Sequence, residues 1–379
     1  MSERNAIRFV AVLGAGTMGG QIAAHFANAG VPVLLLDLNA AVAREGLKRT
    51  TELKPAPFFT RATARLIATG GFDTDLARIS EADWVLEAVV ENLDIKRALL
   101  ARVDAARRAG TIVTTNTSGI PVAAIAAGRS PDFQRHWLGT HFFNPPRYLR
   151  LLEIIPTPET DPAVVHRVSR FADDRLGKGV VVTRDTPGFV GNHLALYGVL
   201  QILGALESGD FTIEEIDAIT GPALGRPKSA TFRTMDIAGI DILAHVVRDL
   251  AERLPDEEQR RAFALPPLVE RLIDRGWIGE KAGQGFYKRE RSRGPSNAPG
   301  TSGSEILTLD PATMTYRPRQ KVRLPALEAA RSIEHTSERV KVLFQGRDKV
   351  GQFLRTTLGR ALAYAARVTP AIAYSIDDV

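Results

Sequence analysis

The stretch GTHFFNPPRYLRLLEII carries two residues of a kind that move protons, His141 near the end of one apolar run and Glu153 inside the next. An imidazole titrates near neutrality, and a carboxylate on its second nitrogen fixes the tautomer and stabilises the imidazolium. That pair suits the removal of a hydroxyl proton while hydride leaves the neighbouring carbon. If Asn144-Pro145-Pro146-Arg147 turns the chain back, the two side chains face each other across adjacent strands. Spacing alone favours a core histidine with a satisfied hydrogen bond. An ionised glutamate within an apolar strand, however, is costly without a partner, and His141 would supply one. Asn116, Thr117 and Ser118 follow another apolar run and form a second cluster of polar candidates.

The segment VLGAGTMGGQIAAHFANAG places Gly14, Gly16 and Gly19 at GxGxxG spacing, after an apolar run and before an amphipathic one. In that setting the first glycine permits a tight turn and the second lets the backbone approach a pyrophosphate. The third allows close packing of helix on strand, and the free amides of the helix start receive the phosphates. Asp37 ends the next apolar run, where a carboxylate can accept hydrogen bonds from an adenosine ribose. Its charge repels a 2′-phosphate, and Leu38, Asn39 and Ala40 offer no arginine to receive one, so NAD is favoured over NADP. The plainer alternative is that the glycines only shape a turn and Asp37 caps the following helix.

These residues need a scaffold, and the first 185 positions alternate short apolar runs with amphipathic ones. The pattern predicts strands over 9–13, 33–36, 84–89, 111–115, 137–142, 151–155 and 180–183. Helices are expected over 17–28, 40–53, 93–108 and 161–176. This is a Rossmann-type, doubly wound α/β domain over 1–185, with ligands expected at the carboxyl ends of its strands. From 186 to 288 the periodicity is helical throughout, with helices expected over 189–206, 213–219, 237–254 and 268–275. Residues 289–340 read as a linker and irregular segment, because RERSRGPSNAPGTSGS has a flexible composition. Residues 341–379 read as an incomplete second helical domain. Aligning Gly191 with Gly351 also pairs Leu194 with Leu354, Ala205 with Ala365, Ile216 with Ile376 and Asp217 with Asp377. Two Ala/Leu-rich helices can align this way by chance.

Composition excludes several chemistries. With 379 residues, 44% hydrophobic and 24% charged, most of the chain can bury a core. The absence of cysteine removes thiolate nucleophiles, disulfides and Cys-ligated metals, and the seven histidines show no HxH or HExxH spacing, so no metal is expected. The net charge of +6 suits an anionic substrate. The basic residues are scattered, and the one dense run, 289–293, fits a solvated linker better than a nucleic-acid patch. The N-terminus lacks the form of a signal peptide and no run approaches a membrane span, so a cytoplasmic protein is expected.

Six ordered motifs, GAGTMGGQIA, LEAVVENLDIK, TNTSG, GTHFFNPPRYLRLLEIIPT, DTPGFVGN and GEKAGQGFYK, make residues 7–288 resemble the 3-hydroxyacyl-CoA dehydrogenase family. The resemblance implies oxidation of an L-3-hydroxyacyl-CoA to the 3-ketoacyl-CoA with NAD as hydride acceptor, a step of fatty-acid β-oxidation. It implies His141 as base and Glu153 as its orienting carboxylate. Ser118 and Asn192 would hydrogen-bond the substrate oxygen. Gly14, Gly16, Thr17, Met18, Gly19 and Asp37 would hold the cofactor, with Glu91 and Lys96 as further NAD contacts and Asn116 and Asn144 lining the nicotinamide side. A homodimer through the helical domain is also implied. Residues beyond 288 resemble longer members whose second helical domain precedes an enoyl-CoA hydratase domain, which leaves room for a thiolase partner. In those 379 residues no hydratase segment is present. The stretch LKPAPFFTRATARLIA matches the family's CoA-binding segment poorly, and Lys54, Arg61 and Arg65 there fit solvated cations better than CoA contacts.

Two competing readings remain at this level. One is a β-hydroxyacid or 6-phosphogluconate-type dehydrogenase, which generally uses a lysine as acid or base. The other is a catalytically silent NAD-binding scaffold, in which the His141 and Glu153 set would be idle.

Overall fold

The computed structural model describes residues 6–254, 256–291 and 304–379. The chain divides into two compact units, Met1–Gly191 with Val368–Val379, and Asn192–Arg367.

The first unit is built on eight strands: β1 (Val10–Leu13), β2 (Val33–Asp37), β3 (Ile67–Gly71), β4 (Trp84–Glu87), β5 (Ile112–Thr115), β6 (Trp137–Phe142), β7 (Leu151–Pro156) and β8 (Gly179–Val182). They lie in the order β3-β2-β1-β4-β5-β6-β7-β8. All pairings are parallel except β6 with β7, where the NPPR turn reverses the chain. Alternate residues of the central strands feed two cores. Val10, Val12, Leu35, Trp84 and Leu86 pack with Phe26 on one face. Ala11, Leu13, Leu34, Val85 and Val113 pack with Leu100 on the other. Burial on both faces explains why the strands read as continuous apolar runs.

The crossover helices begin where the sequence supplies an acceptor for their free amides. Asn39 accepts from Ala41 and Val42 to start Ala40–Glu52. Asn92 does the same for Leu93–Ala106, and Asp161 with Pro162 starts Pro162–Leu176, which ends on left-handed Gly177. The helix Thr17–Asn28 differs, for Gly16 at its start offers no side-chain cap. Strand β3 was absent from the sequence pattern because its IATGG has too few apolar residues, and it survives as the sheet's outer strand beside β2.

The second unit begins on the helix Gly191–Glu207 and adds Ile213–Thr220, Phe232–Ala238, Ile240–Arg253 and Pro267–Asp274. Two buried carboxylates organise it. Asp236 accepts from the amides of Phe286 and Tyr287, and Asp217 from those of Thr231 and Phe232 and from the Tyr287 hydroxyl. A Cβ at Gly285 would lie 2.1 Å from Asp236 Oδ1, which accounts for the glycine of GQGFY.

Residues 289–340 differ from the linker and irregular segment expected. The antiparallel sheet β9 (Tyr287–Arg291), β10 (Ser304–Asp310) and β11 (Thr315–Pro318) runs through them, with β10 in the middle. Buried Thr308 and Leu309 anchor it, and Arg317 forms a two-pronged pair with the buried Glu214 at 2.7 and 2.9 Å. That pair, with the Gln320 amide, overcomes burial and holds the Glu214 carboxyl down at about 2. The linker composition masked two short alternating runs. Residues 292–303, most of the RERSRGPSNAPGTSGS stretch, lie outside the described residues.

The expected separate domain over 341–379 is not a unit of its own, since the division between the two units falls at 367/368. Residues 351–365 are helical, as 191–205 are, but the correspondence stops there. Ile216 and Asp217 are buried in a helix, whereas Ile376 is 59% exposed in the terminal turn with Asp377. The last residues instead dock on the first unit. Ala373 bridges Thr183 in antiparallel fashion, the Arg184 amide donates to Ile372, and the Arg184 guanidinium lies 4.6 Å from the Tyr374 ring centre.

Candidate active site

The glycine turn has the geometry the sequence required. Gly14 has φ +101°, and a Cβ there would meet the Ala88 carbonyl oxygen at 2.6 Å. A Cβ on Gly19 would sit 1.8 Å from the Gly14 carbonyl oxygen. Gly16 is the opposite case, because nothing lies within 4 Å of the position its Cβ would take. That open space beside an uncapped helix start fits a group that approaches the backbone from outside, as a pyrophosphate does. Thr17 is exposed and Met18 half-buried at the same edge.

Asp37 stands at the end of β2, with Oδ2 accepting from the Ala15 amide at 2.6 Å and Oδ1 from the Leu38 amide at 2.7 Å. The helix cap that Asp37 could have been is Asn39. The carboxylate is therefore free of that duty and tied to the turn.

His141 and Glu153 are direct register partners on β6 and β7. Their side chains meet at 2.7 Å, Nδ1 to Oε2. Glu153 is fully buried, and its other oxygen accepts from the amides of Val190 and Gly191 at 2.9 and 2.6 Å. Phe143 and Phe189 flank the imidazole, with ring centres at 4.5 and 5.6 Å. Nε2 points away from Glu153 and lies 3.1 Å from the Ser118 hydroxyl. The imidazole thus has one nitrogen committed to the carboxylate and the other shared with an exposed serine.

Ser118 is held from two sides. Glu91 accepts from the Thr117 hydroxyl and from the amides of Ser118 and Gly119. Asp185 accepts from Val122 and Ala123 in the turn that follows. Burial disfavours the charge on Glu91, but Lys96 and those hydrogen bonds outweigh it and hold the carboxyl below its ordinary range. Lys96, expected near NAD, is itself only 1% exposed, and its ammonium contacts Glu87 at 2.7 Å and Glu91 at 3.2 Å.

The two asparagines are also engaged. Asn116 Oδ1 accepts from the Phe142 amide at 2.9 Å. Asn144 Oδ1 accepts from Gln21, which also donates to the Thr17 carbonyl and so ties the NPPR turn to the glycine helix. Asn192 belongs to the second unit, half-buried near the start of its first helix. Lys54, Arg61 and Arg65 are exposed. Sequence reasoning missed Glu87, although the rule that singled out Glu153, an acid inside an apolar strand, applies equally to the WVLEAVV run. Among the described residues no cluster of three or more potential metal ligands exists, and no helix is long and apolar enough to cross a membrane.

A glycine turn of the dinucleotide-binding form and an imidazole–carboxylate pair lie on one sheet. The chain belongs to the 3-hydroxyacyl-CoA dehydrogenase family: the model of that family's NAD binding domain matches residues 9–186, and its C-terminal domain matches 188–289. A probable 3-hydroxyacyl-CoA dehydrogenase of Bacillus subtilis is 42% identical across 98% of this chain and 48% of its own length. Another, from Deinococcus radiodurans, is 46% identical across 75% of this chain and 84% of its own. The crystal structure of Mycobacterium tuberculosis FadB2 is similar with a TM-score of 0.65 at 32% identity, covering 75% of this chain and 99% of that one. The chain spans about half the length of the B. subtilis relative.

Proposed function

We propose that this chain oxidises an L-3-hydroxyacyl-CoA to the 3-ketoacyl-CoA, as a step of fatty-acid β-oxidation. The observation that carries the reading is the His141 to Glu153 contact at 2.7 Å, with the second imidazole nitrogen beside Ser118. NAD, when bound, supplies the hydride acceptor. The chain's own residues then have separate tasks. His141 Nε2 takes the proton of the substrate 3-hydroxyl, leaving the oxygen to become the ketone. Glu153 keeps Nδ1 protonated, so that Nε2 is the free base, and stabilises the imidazolium once the proton has moved. The Ser118 hydroxyl, 3.1 Å from that nitrogen, positions the substrate oxygen, and Asn192 is assigned to the same oxygen. Gly14, Gly16, Thr17, Met18 and Gly19 with Asp37 hold the dinucleotide, Glu91 and Lys96 are further NAD contacts, and Asn116 and Asn144 line the nicotinamide side.

The test is direct. Purified protein given acetoacetyl-CoA and NADH should consume NADH absorbance in the reverse reaction. No consumption with this substrate, alongside measurable NAD binding, would leave a nucleotide-holding protein without this activity.

A cytoplasmic homodimer belongs to the same reading. Ile237 and Ile242, both more than half exposed in the second unit, supply apolar surface for association. Light scattering at micromolar concentration showing a monomer would remove the dimer, and cell fractionation tests the location. A thiolase partner would accept the 3-ketoacyl product, and co-purification of a thiolase with the tagged protein tests that association.

A further inference from the structure

We propose that Glu87 is a positioning residue for the proposed reaction, setting the place of Ser118 against His141 from inside the sheet. The inference rests on the functional reading above and adds to it a residue with no assigned role.

Glu87 is the last residue of β4 and has no exposed surface. Each of its oxygens has two partners. Oε1 accepts from Lys96 at 2.7 Å and from the Val89 amide at 2.7 Å. Oε2 accepts from Lys96 at 3.0 Å and from the Thr115 hydroxyl at 2.6 Å. Two routes lead from there to Ser118. In the first, Glu87 fixes Lys96, whose ammonium lies 3.2 Å from Glu91, and Glu91 grips the Thr117 hydroxyl and the Ser118 amide. In the second, the Thr115 hydroxyl, once donated to Glu87, presents its oxygen to the Thr117 amide at 3.1 Å. The Glu87 carbonyl also accepts from the Asn116 amide at 2.8 Å. The segment from Thr115 to Ser118 is therefore held at both ends by groups that converge on one carboxylate.

A buried carboxylate and ammonium are retained at the cost of desolvating both. A fold that needed only a filled core would do as well with apolar side chains of the same volume. The pair sits instead under the turn that presents a serine to the imidazole, where placement matters: a displacement of about 1 Å in a reacting array can cost about a hundredfold in rate. Lys96 cannot hold Glu91 in place unless something holds Lys96, and Glu87 does so with both oxygens.

The test is a double-mutant cycle on the full chain. Glu87→Gln should lower kcat at saturating NAD about tenfold, beyond whatever change it makes to the Kd for NAD, read by fluorescence. In a Ser118→Ala background the same substitution should cost less than about twofold, because the group it positions is gone. An equal loss in both backgrounds would mean general weakening of the fold and would overturn the proposal. A tenfold rise in Kd for NAD at unchanged kcat would assign the pair to the cofactor and overturn it as well. Should Glu87→Gln fail to fold, Thr115→Val breaks the second route alone, and no dependence of its kcat effect on Ser118 would be equally decisive. Ser118→Ala by itself separates the two levels: full activity in that variant defeats the functional reading, whereas a loss that is simply additive with Glu87→Gln defeats only this inference.

Discussion

Glu153 Oε2 lies 2.7 Å from His141 Nδ1 while Glu153 Oε1 accepts from the amides of Val190 and Gly191. One buried carboxylate thus both aims the imidazole and clamps the chain just before the second unit begins. A group with two such duties should show both when altered.

Substituting His141→Gln should reduce kcat by three or more orders of magnitude and leave the Kd for NAD within about twofold, since the glycine turn is untouched. Glu153→Gln should reduce kcat by about 10²–10⁴, through loss of tautomer control. It should also lower the urea midpoint, because the two amides lose a charged acceptor worth roughly 1–3 kcal/mol. Steady-state kinetics and denaturation on the same samples check the pair; a Glu153→Gln protein with wild-type kcat would remove the carboxylate from the mechanism.

The two glycines of the turn should behave differently. Gly16→Ala adds a methyl into open space, so thermal stability should be preserved while NAD binding weakens by tenfold or more. Gly19→Ala places a carbon 1.8 Å from a carbonyl oxygen and should destabilise the first unit outright. Melting curves with and without NAD distinguish the outcomes, and equal melting temperatures for both variants would contradict the assignment.

Asp37→Ala should weaken NAD more than NADP, because it removes both a ribose acceptor and the charge that repels a 2′-phosphate. Equal losses for the two cofactors, measured by titration, would take Asp37 out of the ribose site.

His25 should make the first unit acid-sensitive. Burial above all, with the nearby Lys178 charge next, pushes its pKa down to about 3 from 6.5, against a weaker upward pull from the Leu176 backbone. The native state then binds fewer protons than the unfolded one between those values. Stability is complete above pH 6.5 and falls as pH drops toward 3, by up to about 1.4 kcal/mol per pH unit. His25→Leu should flatten the dependence of the urea midpoint between pH 7 and pH 5, and an unchanged slope would acquit this histidine.

The parts legible in the sequence were those with a strong periodic or chemical signature. The glycine turn, Asp37 and the apolar strands announce themselves because burial of the central strands on both faces leaves them few polar residues. The His141 and Glu153 pairing could be inferred because an ionised acid inside LLEII must find a partner. Glu87 carried the same signal but stood beside Glu91, in a motif that cofactor contacts already accounted for. Strand β3 was invisible because an outer strand needs little apolar surface. Residues 304–318 form their hairpin with Tyr287–Arg291 across a Gly/Pro/Ser-rich stretch, and no local pattern reports a pairing made over that distance.

The terminal docking at Thr183 and Arg184 has a further consequence. Strand β8 is the outermost on its side of the sheet, and such a rim offers unpaired amides and carbonyls to any other chain that reaches it. Ala373 and its neighbours occupy the far end of that rim. A polypeptide shortened before residue 368 would leave that end bare, so self-association and precipitation are the expected cost of trimming this segment.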